Sequence, residues 1–411
     1  MYNVLPLWDR TNRDALTLPA KVFVMIELRD QEHTIISSAD RLISFNLNKS
    51  GDCLSGVLTQ DTITFSIDNS DGAFSYDPEN DVYQYAKVSP MFSFYDSIND
   101  DRAGIEYQNY YISNTEASGN KMIFTAKSLL GFMNEKFSFP EGGTELVLTG
   151  AELVASVITQ AQSSNGVPVN SIRTVLDSSL SDYEVKLLST DNYSYAEILQ
   201  LVANAFQCVM LTRGANYIYI VKLGDVSEDY VLSEKISYEY PKKKLAEKTG
   251  DINLYYNHGS SYASNAVSGE GGVLTVTNPI VKDYLQAIGL ASHIFDFNAV
   301  SRKRITGNFR ADPKIELFDI IIVPNGNSVD VCAVTKMNFT YNGGWRGTYE
   351  ATAVNNAIIS MKICDLEMLK IKQIESLQIW QLSPNTVSDD DGYYITDSSG
   401  NAMLREEVEN G

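Results

Sequence analysis

Alternating apolar and polar residues predict β-strands through the first third of the chain. Residues 61–69, DTITFSIDN, place Ile63, Phe65 and Ile67 at every second position, which directs these side chains to one face of a strand. The same pattern predicts strands at residues 20–28, at residues 41–51, and on both sides of a Gly119-Asn120 turn. Six or so short strands within about 110 residues are typical of a closed or nearly closed barrel.

The period changes from two to that of a helix at Thr149. Thr149 is the predicted N-cap of a helix with a buried face of Leu153, Val154, Val157, Ile158 and Ala161. A second helix begins after Ser194 and is expected to bury Ile198, Leu201, Val202 and Ala205. A hairpin around Gly214-Ala215-Asn216 follows. Residues 131–235 therefore form a predicted α/β insert.

Strand patterns return after the insert. Residues 305–325, ITGNFRADPKIELFDIIIVPN, predict two strands around a proline turn, and residues 332–354 predict a hairpin around Gly343-Gly344. The Gly/Ser-rich residues 257–272 predict an exposed loop. The residues after 355 begin with a long apolar stretch, 357–382, which should pack on the body or on a neighbouring subunit. Residues 383–411 are acidic and are expected to be an extended or partner-dependent arm.

These patterns predict a β-rich α+β fold in which two tandem-duplicated β-barrel domains flank the α/β insert. The expected divisions are a first barrel at 1–130, the insert at 131–235, a second barrel at 236–356 and a C-terminal segment at 357–411. The two barrels are expected to be separate and to share one topology.

Composition narrows the classes of function. The 411 residues carry 32 Lys and Arg against 52 Asp and Glu, a formal charge of −20, which disfavours nucleic-acid binding through phosphate neutralisation. The four cysteines show no CxxC spacing and indicate buried, reduced thiols rather than a disulfide framework. The first residues do not resemble a secretory signal, and no apolar run approaches the length that spans a bilayer. We therefore expect a chain made and folded in the cytoplasm.

No motif assigns a catalytic, cofactor-binding or metal-binding residue. The sequence contains neither GxSxG nor HExxH, and the many possible carboxylate pairs do not discriminate. Two acidic stretches, 68–81 and 389–392, lack the ligand alternation of a calcium loop and predict solvated turns. Two basic stretches, 241–244 and 301–304, are interpreted as solvated strand ends, with a contact to an acidic neighbouring subunit as the alternative.

The segments 309–325 and 334–354 together resemble the closing part of phage tail hub proteins. In that family an extended strand, a turn and a Gly-Asp step precede a valine-rich strand and an aromatic hairpin, and here Phe318 replaces the glycine. Residues 192–223 resemble the helix and hairpin of the same family, and residues 276–281 resemble the step before its second barrel. The resemblance covers residues 20–355.

The resemblance implies a virion protein at the tail tip. It implies a homotrimeric ring whose six barrels match the sixfold tail tube, with a tube or distal tail protein above and tip spike or fibre proteins below. DNA would pass through an acidic lumen without specific binding. Two alternatives stay open: a receptor- or carbohydrate-binding tail protein, and a tail-associated cell-wall hydrolase. The resemblance implies no enzymatic role and no cofactor.

Overall fold

The computed structural model describes most of the chain between residues 20 and 354. The described residues are 20–27, 35–37, 41–53, 58–74, 77, 81–96, 101–225, 229–231, 241–245, 249–259, 261–266, 272–300, 303–309, 315–325, 328–342 and 344–354. The predictions for the apolar stretch 357–382, the acidic arm 383–411 and the turn at 389–392 fall outside these residues, as do His33 and Cys364.

The described chain is rich in strands, as its alternation predicts. Up to the insert the strands are β1 (Ala20–Glu27), β2 (Ile35–Ser37), β3 (Leu42–Gly51), β4 (Leu58–Asp68), β5 (Lys87–Asp96), β6 (Asp101–Glu106), β7 (Tyr110–Ser118) and β8 (Lys121–Lys127). The insert contains β9 (Glu145–Thr149), α1 (Gly150–Gln162), β10 (Arg173–Leu176), β11 (Glu184–Leu188), α2 (Tyr195–Ala205), β12 (Val209–Arg213), β13 (Tyr217–Val221) and β14 (Asp229–Val231). After it come β15 (Lys242–Leu245), β16 (Thr249–Tyr256), β17 (Ser261–Ala266), β18 (Gly272–Asn278), α3 (Tyr284–Val300), β19 (Lys303–Phe309), β20 (Ile320–Asn325), β21 (Ser328–Tyr341) and β22 (Trp345–Ala353).

Fourteen of the described strands belong to one hydrogen-bonded sheet. Its order is β15-β19-β22-β21-β3-β4-β8-β7-β5-β1-β2, with β6 paired to β5, β20 paired to β21, and β14 paired to β20. Three smaller sheets have the orders β10-β13-β12, β11-β9 and β17-β16-β18. The prediction of a β-rich α+β protein is confirmed.

The predicted first block forms because its alternation holds in the structure. On β4 the side chains of Ile63, Phe65 and Ile67 are all fully buried, as their spacing predicts. Gly119 has a φ of 60°, which the tight turn between β7 and β8 requires and which glycine tolerates without a steric penalty. Residues 68–74, the first described part of the acidic stretch 68–81, form a turn, as predicted, in which Asp68 and Asp71 accept hydrogen bonds from the backbone amides of Ser70 and Ala73.

The two predicted barrels are not separate, because β3 and β21 join them. The second half of β21, from Lys336 to Tyr341, pairs antiparallel with Phe45 to Ser50 of β3, while the first half pairs with β20. Pairing these strands satisfies backbone N–H and C=O groups that two separate blocks would leave unpaired at a sheet edge. Whether the two blocks repeat one topology stays a prediction.

One hydrophobic core also spans both blocks. The ring of Phe92 on β5 lies 5.7 Å from that of Phe45, 4.8 Å from that of Phe339 and 5.8 Å from that of Trp345, measured between centroids. Phe339 and Trp345 come from the second block, on β21 and β22. The first core thus contains residues of β1, β3, β4, β5, β7 and β8 together with residues of β19–β22.

A second core lies within the insert and continues past it. The three helices pack with residues of the small sheets, and Ile252 and Leu254 of β16 are fully buried among them. This core runs from Leu129 to Ile294 and crosses the predicted division at 235/236. The described residues between 249 and 300, which were assigned to the second barrel, therefore contribute to the core of the insert rather than to that of the large sheet.

Both predicted helices begin at their predicted caps. Thr149 accepts a hydrogen bond from the amide of Glu152, whose carboxylate accepts one from the amide of Thr149. Ser194 and Glu197 form the same reciprocal pair at α2. A Ser or Thr followed three residues later by Glu satisfies two amides that a helix start otherwise leaves unbonded. All five residues of the predicted buried face of α1 are buried.

Two expectations for the middle of the chain are corrected. Residues 257–272, predicted as an exposed loop, contain the strand β17, which pairs with β16. The helix α3 was not predicted, because its apolar residues surround the helix rather than mark one face. Its start is capped by Asp283, whose carboxylate accepts hydrogen bonds from the amides of Leu285 and Gln286 at 2.6 and 3.3 Å.

The buried face of α2 differs from the predicted one at one position. Ile198, Val202 and Ala205 are buried as predicted, but Leu201 is only partly buried, and Leu199 is fully buried in its place. The helix contacts β12, α1, α3 and β18, so its buried surface is wider than a single stripe. When a helix packs against several elements, residues at the edge of its buried face cannot be assigned from the hydrophobic period alone.

We expect Leu199→Ala to lower the free energy of unfolding by about 2–5 kcal/mol, because it removes a fully buried side chain. Leu201→Ala on the same helix is the matched control and should cost less than half as much, since that side chain keeps part of its exposure. Urea denaturation of both variants measures the difference. Equal losses would contradict the burial that separates the two leucines.

Candidate functional site

Five ionisable side chains meet where the large sheet contacts the insert. We call them the junction cluster: Lys49, Asp61, Arg213, Glu316 and Asp319. Four of them are less than a tenth exposed as residues, and the side chain of Arg213 is 18% exposed. They come from β3, β4, β12 and the segment that precedes β20, so this cluster ties parts of the chain that are far apart in sequence.

The cations of the cluster each face the carboxylate of Glu316. The Nζ of Lys49 lies 3.6 Å from Glu316 Oε1, and the guanidinium of Arg213 pairs with Glu316 through Nε. Arg213 also donates from Nη2 to Asp319 Oδ1 at 2.9 Å. Buried carboxylates are tolerated only when such partners replace the water that they lose.

Asp61 is held by neutral donors instead. Its carboxylate accepts hydrogen bonds from Gln108 Nε2 at 2.7 Å, from Tyr110 OH at 2.8 Å and from Thr212 Oγ1 at 3.0 Å. Gln108 also accepts a hydrogen bond from Lys49 at 3.2 Å, so it links the cation to Asp61. Thr212 belongs to the insert, and its bond to Asp61 is a second tie between the insert and the sheet.

The turn of the insert hairpin docks beside the cluster. The amide of Asn109 donates to the carbonyl of Gly214 at 3.3 Å, and Tyr111 OH donates to Asn216. Gly214 and Asn216 have φ values of 56° and 62°, as a tight hairpin turn requires. The predicted hairpin is confirmed, and its tip is one of the surfaces by which the insert contacts the first block.

Phe318 occupies the position at which the resemblance to tail hub proteins leads us to expect glycine, and its backbone has a conformation that glycine adopts easily. Its φ is 68° and its side chain is fully buried. The amide of Phe318 donates to the carbonyl of Val334, and the amide of Val334 donates to the carbonyl of Asp319, which fastens the segment to β21. The left-handed region disfavours a residue with a Cβ, so the contacts of the ring must outweigh this cost.

The basic residues at 242–244 form an exposed strand. Lys242, Lys243 and Lys244 are all exposed on β15, which we call the basic edge, and Leu245 next to them is 74% exposed. Lys243 Nζ lies 2.8 Å from Asp330 Oδ2, and Lys303 also pairs with Asp330. Burial opposes ionisation of Asp330, but the hydrogen bonds from these lysines outweigh it and keep its pKa below the usual value. Residues 242–244 are exposed on this chain, as a strand end of either kind would be, and whether they face solvent or a neighbouring subunit stays a prediction. Residues 301 and 302 of the second basic stretch fall outside the described residues.

The described histidines and cysteines are the remaining side chains that could act as metal ligands or nucleophiles. His258 Nδ1 lies 3.3 Å from Asp191 Oδ1, and burial lowers the pKa of His293 on α3. Cys53, Cys208 and Cys332 are free and buried, as predicted. Among the described residues no group of three or more His, Cys, Asp or Glu side chains is arranged to hold a metal ion.

Sequence reasoning missed the junction cluster. Its members come from four separate segments of the chain, and no motif marks them as one group. Two weak signals exist: Lys49 and Asp61 are in phase with the buried alternate positions of their strands, and Glu316 and Asp319 lie next to a buried apolar run within the hub-like stretch.

Solved structures with a similar fold are tail proteins. The 43 kDa tail protein of prophage MuSo2 from Shewanella oneidensis is 8% identical, with a TM-score of 0.56 over 80% of this chain and 98% of that protein. A tail protein from Neisseria meningitidis MC58 is 9% identical, with a TM-score of 0.54 over 82% and 98% of the two chains. The chain has the fold of phage tail proteins.

The similarity of this tail-protein fold extends to the full length of its neighbours. The prophage tail protein gp18 from Listeria monocytogenes EGD-e is 8% identical, with a TM-score of 0.50 over 87% of this chain and 100% of that protein. No description of a known protein family matches the chain, and no curated protein sequence matches it. Within the part of the chain that the structure describes, none of the helices is long and apolar enough to cross a membrane.

We expect Arg213→Met to lower the free energy of unfolding by about 3–5 kcal/mol, because it leaves two buried carboxylates without their shared cation. Arg41→Met is the matched control: Arg41 pairs with Asp71 on the surface, and its loss should leave stability nearly unchanged. Chemical denaturation monitored by tryptophan fluorescence compares the two. A loss at Arg213 no larger than that at Arg41 would show that the junction cluster does not hold the insert to the sheet.

The backbone strain at Phe318 can be tested by comparing its alanine and glycine variants, whose order of stability should be the reverse of the usual one. Phe318→Ala should lose about 3–5 kcal/mol of stability with the buried ring, while it retains the left-handed backbone. Phe318→Gly removes the same ring but relieves about 1–2 kcal/mol of backbone strain, so it should be the more stable of the two variants. At an ordinary strand position alanine is the better residue. Thermal unfolding that places the alanine variant above the glycine variant would refute the strain at Phe318.

Proposed function

We propose that this chain is a structural tail component, a homotrimeric hub that joins the distal end of a tail tube to the tip spike and baseplate. The observation that carries the proposal is the side-by-side joining of two strand blocks in one sheet through β3 and β21. A chain with two such blocks contributes two units to a ring, so three copies contribute six. The similarity to solved tail proteins over their full length supports a role in a tail.

The duplication of the barrels is part of this proposal. The second block comprises β20, β21, β22, β19 and β15, to which the insert adds β14 beside β20, and the first comprises β3, β4, β8, β7, β5 and β1 with β2 and β6 beside them. Each is a group of about six neighbouring strands, which is what two quasi-equivalent units would require. A ring closes when each subunit presents one surface to its neighbour and a different surface to the next.

The charge of the chain supports a channel for DNA. A formal charge of −20 repels phosphate, so acidic side chains along a lumen would let DNA pass without adhering. The basic edge then has a different role, and we propose that it faces a neighbouring subunit or solvent rather than the lumen. Lysines at an exposed strand edge also prevent indiscriminate edge pairing, which suits a chain that must assemble with selected partners.

A cryo-EM reconstruction of tail particles that contain this chain tests the proposal. We expect three copies on the tail axis, between the tube and the tip, with a mainly acidic lumen. Six copies in stacked rings along the tube, or copies in peripheral fibres, would contradict the hub role; a peripheral position would favour receptor or carbohydrate binding. A zone of clearing in a peptidoglycan zymogram would favour the hydrolase alternative.

Two charge variants refine this test at the level of residues. Lys244→Glu on the basic edge should reduce incorporation into tail particles if that edge faces an acidic neighbour. Lys121→Glu is the matched control, because it makes the same change of net charge at the exposed first residue of β8 in the first block. Equal incorporation of both variants would show that the basic edge faces solvent. The hub role would then be tested by the reconstruction alone.

A further inference from the structure

The junction cluster holds more negative than positive charge. Asp61, Glu316 and Asp319 oppose Lys49 and Arg213, so the fully ionised cluster has a net charge of −1 in a buried environment. Burying a net charge is costly, and a protein commonly avoids that cost by binding a proton. The geometry of the cluster determines which carboxylate is the site of that proton.

Asp319 has one cation partner where Glu316 has two, and two hydrogen-bond donors where Asp61 has three. Asp61 accepts three hydrogen bonds, and Glu316 faces both cations. Asp319 receives one hydrogen bond from Arg213 and one from the amide of Glu316 at 2.7 Å. The nearby carboxylate of Glu316 also repels its charge.

The surroundings of Asp319 agree with proton binding at this carboxylate. Burial, the largest effect, raises the pKa of Asp319 to about 7, and the negative charge of Glu316 adds to the increase, while Arg213 opposes it. The other charged or titratable groups in or beside the cluster are Lys49 on β3, Asp61 on β4, Tyr110 on β7, Tyr107 and Tyr219. Burial raises the pKa values of Tyr107 and Tyr219 further above their usual values, so neither of these two supplies a competing titration near neutral pH.

Asp319 lies at a mechanically important point. Its carbonyl accepts the amide of Val334 on β21, and its amide donates to the carbonyl of Glu316. Its carboxylate pairs with Arg213, the last residue of β12, directly before the turn that docks on Asn109 and Tyr111. A change in the charge of Asp319 therefore acts on the contact between the insert hairpin and the large sheet.

We propose that the junction cluster is a proton-linked clamp: one proton bound at Asp319 near neutral pH favours the closed contact between the insert hairpin and the sheet, and its loss favours local opening. The inference does not depend on the proposed role in a tail. An open junction exposes Asp319 to water, where an ordinary carboxylate ionises at a much lower pH. The closed state thus binds the proton over a pH range in which the open state does not.

The sign of the pH dependence follows from this difference. The contribution of Asp319 to closure is fully present below the pKa of the open state, declines as the pH rises, and is lost above a pH of about 7. With a single linked proton, the equilibrium between closed and open junction changes by at most about tenfold for each pH unit.

Hydrogen–deuterium exchange of the whole chain between pH 5 and 9 tests the clamp. Rates are corrected for the intrinsic pH dependence of exchange and followed in peptides that cover β12 and the segment 315–323. We expect protection there to decline by up to about tenfold per pH unit and to level off above pH 7 to 8. Protection that does not change with pH in these peptides would overturn the proposal.

Two variants identify the responsible group. Asp319→Asn preserves the acceptor for Arg213 but cannot bind a proton, so its protection should be independent of pH over this range. Asp71→Asn is the matched control, because Asp71 is an exposed carboxylate whose pKa is lowered by its hydrogen bond with Arg41, and its profile should equal that of the wild type. An unchanged pH dependence in Asp319→Asn would refute the assignment to Asp319.

A measurement on the unaltered chain keeps the proposal testable if Asp319→Asn fails to fold. Carboxyl-carbon NMR of the wild-type chain, labelled at aspartate, should contain one buried resonance that titrates near pH 7. Glu316→Gln removes the neighbouring negative charge and should move that midpoint to lower pH. Aspartate resonances that all titrate near pH 4 would overturn the clamp.

Discussion

The antiparallel pairing of β21 with β3 is the contact on which the architecture depends. It connects strands almost three hundred residues apart in sequence and makes one sheet from the two strand blocks. The aromatic core that contains Phe45, Phe92, Phe339 and Trp345 exists because this pairing brings the second block over the first. A contact between such distant segments closes a very long loop, so the intervening insert must be folded against the sheet for the arrangement to be specific.

The ion pairs and hydrogen bonds of the junction cluster make the docking of the insert specific. Apolar packing is nondirectional, and a flat hydrophobic contact would allow the insert to dock in several ways. The insert can form the ion pairs of Arg213 with Glu316 and Asp319 in one docking position only. The same position allows the hydrogen bond from Thr212 to Asp61, and any other position leaves buried charges without partners. The same cost of burying charge that selects this position makes the cluster sensitive to protonation.

The similarity to tail proteins at 8–9% identity has a physical basis in the strands themselves. Sheet pairing uses backbone groups that every residue except proline carries, and the core requires only that apolar side chains recur at alternate positions. Phe318 is an example of a sequence change that the fold tolerates. A residue with a bulky side chain has a left-handed backbone, and the burial of its ring compensates for the steric cost. Sequence comparison therefore finds no match where comparison of folds does.

The sequence by itself determined the local elements whose causes are local. The alternation of Ile63, Phe65 and Ile67, the reciprocal caps at Thr149 and Ser194, and the turns at Gly119 and Gly214 were all predictable, because neighbouring residues decide them. Only the tertiary structure decided that β21 pairs with β3, that the described residues of 249–300 pack with the insert, that Leu199 rather than Leu201 is fully buried, and that five ionisable residues from four separate segments form one cluster. These outcomes depend on which surfaces meet after folding, and the hydrophobic period of a segment specifies a buried face but not the partner that covers it.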